Sequence, residues 1–316
     1  MTGGNSPRKG TPESQGSTDE VRLVYFILAH HRPEQLQMLV DAVAEPRDLV
    51  FLHIDLKSAL GLKAERAGVL AMARKLAAER PNVLLMRPRF TNWGGWSMSS
   101  ILLAAIERAL KVSRDWTHFI NLSGQCYPLK PIAQLRSALA AAGERVFVEL
   151  RHFSSLPPND WHLRWRAMVE LPFKAVPLAM RRHAPRDFEL EYKGSQWCIL
   201  PRSFCEWQAQ APVARVIKRY LRNLHLSDEL IMQTLVRNGP WRERAMPHYG
   251  REILWPGPKI LTAADLPTLE GSPAFFARKF DTSVDPDLIA VLARRCGFAL
   301  RPPPSAGVSS QRAPVC

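Results

Sequence analysis

A short apolar run at residues 116–122 is the feature of this sequence that most constrains its fold. The run is aromatic and β-branched, as is typical of a strand buried on both faces, and a Ser-Gly pair ends it abruptly. Polar groups therefore follow the carboxyl end of a buried strand, where ligands bind in open α/β sheets. The candidates for lining a site there are Asn121, Ser123, Gln125 and Lys130. A tight turn that bonds its own backbone explains the same residues.

Strands and helices alternate in the part of the chain that precedes this run. Hydrophobic periodicity predicts strands at 21–29, 49–54 and 83–86. It predicts helices at 33–43, 63–78 and 97–110, the last with Ser97 as its N-cap. This alternation predicts an α/β fold with a mostly parallel central sheet and helices on both faces.

The second half of the chain is less regular. Predicted strands lie at 146–150, 196–200 and 252–255, and predicted helices at 201–210, 213–223, 227–237 and 285–296. The basic stretch 151–193 is predicted to be a long loop, and loops of that length usually carry function. Residues 1–20 and 301–316 contain little to bury, so we expect disordered tails around a single domain at 21–300.

Charge and cysteine content narrow the functions open to the chain. Its 43 Lys and Arg against 29 Asp and Glu give a net charge of +14, which predicts attraction to polyanions, including phosphorylated ligands and anionic membrane surfaces. The five cysteines lack C-x-x-C spacing, so we expect free thiols and neither disulfides nor a zinc site. The sequence lacks a long apolar stretch and an apolar signal region at its start, which predicts a cytoplasmic location, with peripheral binding to the membrane face as an option.

Two neighbouring predicted strands end in residues that can contact a nucleotide. His30 follows the first strand, and Asp55 follows the second. A carboxylate at such an edge can accept hydrogen bonds from ribose hydroxyls, although a cap or turn explains Asp55 equally well. The chain has no G-x-G-x-x-G after its first strand and no G-x-x-x-x-G-K-[ST] motif, which disfavours a dinucleotide oxidoreductase or a P-loop enzyme.

The sequence does not indicate the metal site that many nucleotide-sugar transferases use. Its only D-x-D motif, at 285–287, opens a predicted helix, where the first Asp serves as a cap. In a transferase, fixed cations would then have to stabilise the departing diphosphate. The best candidates lie among apolar residues: Arg251, Arg278 and Lys279. Surface charge, or an ion pair with Asp281, is the alternative.

A pair of acids, Asp228 and Glu229, follows Ser227 at the start of a predicted helix. A cap followed by acids that favour the helix dipole explains them without any function. Adjacent helical side chains point about 100° apart, so at most one of the two acids can face a given substrate. Glu229 shares a polar face with Gln233.

Seven ordered motifs resemble those of the core-2/I-branching β-1,6-N-acetylglucosaminyltransferases and the related peptide O-xylosyltransferases. They are H-H-R at 30–32, F-L-H-I-D-L-K-S at 51–58, W-G-G-W-S at 93–97, F-I-N-L-S-G-Q-C-Y-P-L-K at 119–130, K-G-S-Q-W-C-I-L-P-R at 193–202, S-D-E-L-I-M-Q-T-L at 227–235 and F-A-R-K-F-D at 276–281. The resemblance covers about residues 21–300, and several ordered motifs are far more specific than one.

The resemblance implies a GT-A-like, Rossmann-like domain that binds a UDP-sugar without a divalent metal and transfers the sugar to a glycan or glycoconjugate. N-acetylglucosamine is the first expectation for that sugar and xylose the second. The resemblance implies that Glu229 is the catalytic base, that Arg251 and Lys279 hold the diphosphate, and that Asp55 contacts the nucleoside, with His30 beside it. It also assigns four residues to substrate binding: Glu149, Arg164, Gly194 and Ser195.

A single carboxylate base and a single displacement imply inversion at the anomeric carbon. The sequence departs from the family pattern at Cys126, where Asp is usual, and it lacks the membrane anchor and luminal disulfides of animal members. The acceptors of animal members are therefore not assigned to this chain.

Two other classes of function compete with this interpretation. A nucleic-acid-binding module fits the basic charge and the cluster Trp161, Arg164, Trp165 and Arg166, but the basic residues are spread along the whole chain, so we expect no nucleic-acid partner. A glycosidase would need two opposed carboxylates, for which Glu149 and Glu229 are the candidates. The acceptor, the choice of UDP-sugar and the oligomeric state stay open.

Overall fold

The computed structural model describes residues 18–61, 66–164 and 166–299. The strands in these ranges are β1 Leu23–Ala29, β2 Leu49–Ile54, β3 Val83–Leu85, β4 His118–Ser123, β5 Tyr127–Pro128, β6 Phe147–Val148, β7 Arg151–His152, β8 Arg166–Leu171, β9 Lys174–Arg181, β10 Tyr192–Lys193, β11 Cys198–Pro201, β12 Arg251–Ile253 and β13 Phe276–Arg278. The helices are α1 Pro33–Val43, α2 Leu56–Ala59, α3 Val69–Glu79, α4 Trp96–Val112, α5 Ile132–Ala142, α6 Arg202–Gln210, α7 Pro212–Leu221, α8 Ile231–Arg237, α9 Leu266–Gly271 and α10 Leu288–Cys296.

The central sheet has six strands in the order β3-β2-β1-β4-β11-β6. β1 pairs in parallel with β2 and β4, and β2 pairs in parallel with β3, whereas β11 is antiparallel to β4 and β6. This confirms the predicted α/β fold with a mostly parallel sheet. Successive strands are added on one side of β1 and then on the other, so a crevice is expected outside the carboxyl ends of β1 and β4.

Side chains of β1 alternate between two buried layers. Tyr25 and Ile27 join an apolar cluster with residues of α1, α3, α5 and α10, while Val24 and Phe26 join a second cluster with residues of α4, α6, α7 and α8. Because β1 is apolar at both sets of positions, it is suited to the centre of a sheet that helices cover on both faces.

A second sheet of three strands, in the order β12-β13-β5, carries the basic residues of the C-terminal region. Arg251 of β12 lies opposite Phe276 of β13, and Arg278 follows two residues later. Residues two apart in a strand share a face, so this register brings Arg251 and Arg278 to the same side of the small sheet.

The predicted starts of α4 and of the helix at 227–237 were wrong. α4 begins at Trp96 with Gly95 as its N-cap, and Ser97 lies inside the first turn, where its hydroxyl accepts a hydrogen bond from the Asn92 amide. The predicted helix 227–237 is a 3₁₀ turn, Ser227–Glu229, followed by α8. The break occurs at Leu230, whose backbone is non-helical, so two short elements replace one helix. The turn itself follows the left-handed Leu226, with φ of 61°.

The predicted loop 151–193 was also wrong in part, because it contains the antiparallel hairpin β8–β9. Its prolines and scattered charges hid the strand pattern. The predicted helix 63–78 begins at Val69, and residues 62–65 lie outside the described ranges. Residues 18–20, assigned to a tail, form one 3₁₀ turn, while 1–17 and 300–316 also lie outside those ranges.

Three smaller predictions concern caps, cysteines and apolar segments. The predicted helix 285–296 begins at Leu288 with Asp287 as its N-cap residue, and the Asp285 carboxylate accepts hydrogen bonds from the amides of Asp287 and Leu288 just before it. The four described cysteines are free thiols, as predicted. Of the helices listed above, none has the length and apolarity needed to cross a membrane.

Candidate active site

Buried arginines with unused donors mark the first half of the site. The Arg251 side chain is buried, and its Nη2 donates a hydrogen bond of 2.8 Å to the carbonyl oxygen of Asn121. Within the described residues, Nε and Nη1 of Arg251 and Nε of Arg278 have no hydrogen-bond partner. Both guanidinium groups lie against the ring of Trp197, at 5.8 and 4.6 Å from its centroid.

These arginines are in an unfavourable environment for a cation. Burial lowers the pKa of Arg251 and Arg278, and for Arg251 the neighbouring Arg278 lowers it further. Buried cations are usually paired, because an unpaired one retains its full desolvation cost. The Asp281 carboxylate does not supply this pairing, since it forms an ion pair of 2.8 Å with Arg32. The unused donors are therefore suited to an anionic ligand.

Lys279 and His30 extend this positive region to the carboxyl end of β1. Burial, followed by the charge of Arg278, lowers the pKa of Lys279. The pKa of His30 is lowered to about 3, first by burial and then by its positive neighbours, among them Lys279 and Arg278. His30 is therefore neutral at pH 7 and can exchange hydrogen bonds with a ligand without adding charge.

Asp55 lies at the adjacent strand end, and its carboxylate already has partners. Its backbone amide donates to the carbonyl of Ala29, which places it beside the start of the His30 segment. One carboxylate oxygen accepts from the Lys57 amide and so caps α2, and the other accepts from the Thr91 hydroxyl at 2.6 Å. The cap interpretation of Asp55 is correct, and the nucleoside contact stays a prediction.

A half-exposed carboxylate, Glu229, marks the second half of the site. The left-handed Leu226 starts the 3₁₀ turn that carries it, and the Glu229 carbonyl accepts a hydrogen bond of 2.9 Å from the amide of Gly194. Its side chain is 33% exposed. One oxygen lies 3.1 Å from His162 Nε2 and 3.7 Å from Lys193 Nζ. The carboxylate thus faces solvent with two basic groups beside it.

Asp228 points the other way and is buried. Its Oδ1 has no hydrogen-bond partner among the described residues. Burial, and then the charge of Glu229, raises the pKa of Asp228 from its ordinary 3.8 to about 7. Both acids lie in a 3₁₀ turn and not in the predicted helix, and Glu229 is the more exposed of the two. Which of them faces a substrate stays a prediction.

The buried Asp228 carboxyl should make stability depend on pH. A carboxyl whose pKa rises on folding contributes stability that is fully present below its unfolded pKa and is lost as pH rises through the folded value. The loss has an upper bound on the order of 4 kcal/mol. We expect Asp228→Asn to melt at a higher temperature than the wild type at pH 8, with a smaller difference at pH 4. Equal differences at both pH values in thermal unfolding would contradict this.

The segment 193–197 contacts both halves of the site, the one with the arginines and the one with Glu229. A Glu149 carboxylate oxygen accepts a hydrogen bond of 2.7 Å from the Ser195 amide, and Gln233 Nε2 donates to the carbonyls of Glu149 and Ser195. A Cβ at Gly194 would lie 2.0 Å from the Glu149 carbonyl oxygen, so only glycine fits. Trp197, which contacts both arginines, follows in the same segment.

Other predicted residues are placed less directly. The side chains of Arg164 and Trp161, and all of Trp165, lie outside the described part of the structure. The Ser123 hydroxyl accepts a hydrogen bond from the Gln125 amide, so the turn interpretation is correct for Ser123. The Gln125 side chain bonds outside the turn, because its Nε2 donates to the carbonyl of Phe280. The sequence did not single out Trp197, Asp160 or His162. Trp197 sits inside the K-G-S-Q-W motif, which is the only sequence signal for these three residues.

The described ranges contain no group of three or more His, Cys, Asp or Glu side chains placed to hold a metal ion. Metal independence stays a prediction for assay.

In this α/β fold, segment 193–197 contacts both the arginines with unused donors and the turn of a solvent-facing carboxylate, an arrangement suited to an anionic ligand and acid-base chemistry. The family model described as "Core-2/I-Branching enzyme" matches residues 23–268, and the chain belongs to this family.

Two relatives illustrate the similarity. The chain is 23% identical over 232 residues to human beta-1,3-galactosyl-O-glycosyl-glycoprotein beta-1,6-N-acetylglucosaminyltransferase 3, covering 73% of this chain and 50% of that protein. It is 22% identical over 228 residues to the corresponding transferase of Bovine herpesvirus 4 (strain LVR140), covering 72% and 49%. The chain therefore spans about half the length of the curated relatives it matches. Among solved structures, mouse xyloside xylosyltransferase 1 in its apo form aligns with a TM-score of 0.35 at 14% identity, over 69% of this chain and 83% of that one.

Proposed function

We propose that the protein is a glycosyltransferase that moves a sugar from a UDP-sugar to a hydroxyl group of a glycan or glycoconjugate. One observation carries the proposal: buried Arg251 has two unused nitrogen donors and is connected through segment 193–197 to the solvent-facing Glu229. A diphosphate suits the first feature and a nucleophilic hydroxyl suits the second. N-acetylglucosamine is the proposed sugar, in line with the names of the relatives, and xylose is the alternative.

In this proposal Glu229 acts as the general base. Its exposed oxygen accepts the proton of the acceptor hydroxyl as that oxygen attacks the anomeric carbon. A positioned base contributes about 10²–10⁴-fold to such a step. A single displacement from the face opposite the leaving group inverts the anomeric centre.

Arg251 and Lys279 would stabilise the charge that grows on the departing UDP. Arg251 is preorganised for this task, because the Asn121 carbonyl and the Trp197 and Phe276 rings fix its guanidinium before any ligand arrives. Lys279 adds a second positive charge in the same region. His30 and Asp55, at neighbouring strand ends, are proposed to contact the nucleoside.

The acceptor is proposed to bind on the Glu149 side of Glu229. Glu149 is tied to the Ser195 amide through one carboxylate oxygen, and the carbonyl of Glu229 is tied to Gly194. These bonds hold the backbone beside the proposed base in one position. Arg164 is kept as a proposed acceptor contact on the family resemblance alone.

Donor binding and metal use can be tested together. We expect UDP-N-acetylglucosamine or another UDP-sugar to raise the melting temperature by mass action, and the shift to persist in excess EDTA. Sugar transfer or donor hydrolysis should likewise survive EDTA. Activity that disappears with EDTA and returns with Mn²⁺ would contradict metal independence, while a panel of UDP-sugars that produces no shift would contradict the proposed donor class.

A further inference from the structure

We propose that His162 is a positioning residue for Glu229, which it holds and keeps ionised as the base that accepts the proton of the acceptor hydroxyl. This inference rests on the proposed function and extends it to a residue that the sequence did not single out. His162 lies in the 3₁₀ turn Trp161–Arg164, and its side chain is almost completely buried. A buried imidazole this close to a half-exposed acid needs a physical explanation.

Asp160 fixes the orientation of the imidazole. Its Oδ1 lies 2.7 Å from His162 Nδ1 and also accepts a hydrogen bond of 2.9 Å from the backbone amide of His162. With the acceptor Asp160 on one side, Nδ1 carries a hydrogen. Nε2 therefore points away from Asp160, toward Glu229.

The contact on the other side joins His162 to the proposed base. Nε2 lies 3.1 Å from a Glu229 carboxylate oxygen, at an angle that does not form a hydrogen bond within the described residues. A lone pair on Nε2 would repel the carboxylate at this distance, whereas an N–H would attract it. The imidazole can donate a hydrogen bond to each of the two carboxylates only when both of its ring nitrogens carry hydrogen. Because Glu229 is partly exposed, its carboxylate can turn to accept that hydrogen.

Lys193 completes a cluster of balanced charge. Its Nζ lies 3.3 Å from Asp160 Oδ2 and 3.7 Å from the Glu229 carboxylate. When both ring nitrogens of His162 carry hydrogen, two carboxylates face two positively charged groups. Positive neighbours that donate hydrogen to a carboxylate favour its ionised form, which is the form that a base requires. The other titratable groups near this cluster are His225, Arg166 and Asp228.

The inference predicts a specific change in the pH profile. Without His162 the Glu229 carboxylate loses a donor and is protonated more easily, so the acid limb of kcat should move to higher pH. For His162→Ala we expect kcat near pH 7 to fall about 10–100-fold, the size typical of removing a partner that orients a functional group. The affinity for UDP should stay unchanged, because the polar contacts of His162 within the described ranges are with Asp160 and Glu229 and not with the arginines.

Two further variants keep the test decisive if His162→Ala does not fold. His162→Gln can place an amide N–H near Glu229 but cannot carry a positive charge, so it should recover part of kcat and retain the shifted acid limb. Asp160→Asn leaves an oxygen for Nδ1 but removes the charge that stabilises the imidazolium, and it should move the acid limb in the same direction. Melting temperatures accompany each kinetic profile.

The kinetics of the Glu229 and His162 variants distinguish a failure of the role proposed for His162 from a failure of the proposed function. If Glu229→Gln keeps normal turnover, Glu229 is not the base and the inference fails with the proposed function. If Glu229→Gln is inactive but the His162 variants show a wild-type acid limb, only the inference is overturned. It is also overturned if kcat and UDP affinity fall together by the same factor in His162→Gln, because that indicates general disruption of the site.

Discussion

Replacing Glu229 by Gln is expected to lower kcat by about two to four orders of magnitude, while the affinity for the UDP-sugar barely changes. The amide keeps the shape of the carboxylate but cannot take the acceptor proton. The main-chain bond between the Glu229 carbonyl and the Gly194 amide does not depend on the side chain, so the local backbone should be preserved. Steady-state transfer assays with the preferred acceptor, together with calorimetric UDP titration, measure the two quantities separately.

Asp228→Asn is the matched control for this experiment. The substitution makes the same chemical change one residue earlier, but at a side chain that is buried and faces away from solvent. Its effect should be on stability and its pH dependence, with turnover retained. Equal loss of activity in both variants, or near-normal turnover in Glu229→Gln, would show that Glu229 is not the base.

Replacing Arg251 by Met is expected to separate ligand binding from folding. UDP affinity should fall by about 1.5–3 kcal/mol, or about 10–150-fold, which is the scale of charge-assisted hydrogen bonds. The ligand-free protein should melt at the same temperature or higher, because an apolar side chain replaces a buried cation with unused donors. Lys279→Ala should weaken UDP binding to a similar extent. Calorimetric titration and thermal unfolding measure these effects.

Arg136 is a useful comparison, because it is a buried arginine that is paired with carboxylates. It is almost completely buried, but it donates hydrogen bonds to Glu45, Asp48 and the carbonyl of Val21. Breaking such a pairing costs about 3–5 kcal/mol, so Arg136→Met should melt well below the wild type. Its UDP affinity, measured where the variant is folded, should be unchanged. Normal UDP binding by both Arg251→Met and Lys279→Ala would place the nucleotide elsewhere.

The fold class could be predicted because its determinants are local. Alternating strand and helix patterns before residue 116 reflect burial on two faces, and burial of β1 on both faces follows directly from its uninterrupted apolar sequence. The small sheet that carries Arg251 and Arg278 was not predictable in this way. Its strands are only two or three residues long, and the pairing of β13 with β5 joins residues more than a hundred positions apart.

The conformation of the turn that carries Glu229 was also not predictable from its local sequence. The S-D-E-L-I-M-Q sequence has the signals of a capped helix, and a helix was predicted. Contacts with distant residues override that preference: the Leu226 amide bonds the Gly94 carbonyl, and the Ser227 hydroxyl lies 3.0 Å from that of Ser99. A left-handed leucine costs energy locally and persists only where surrounding contacts require it.

The sequence by itself determined the class of fold, the family motifs and the types of residue available for chemistry. Only the tertiary structure decided which of them act together. Whether a basic side chain is paired depends on what surrounds it. Arg136 forms ion pairs with carboxylates, whereas Arg251 retains unused donors. Asp281 pairs with Arg32 instead of the basic residues beside it in sequence. The approach of His162 to Glu229 likewise joins residues nearly seventy positions apart. Ion pairing and proton exchange require groups that lie within a few ångströms of each other, and the order of these residues in the sequence does not specify those distances.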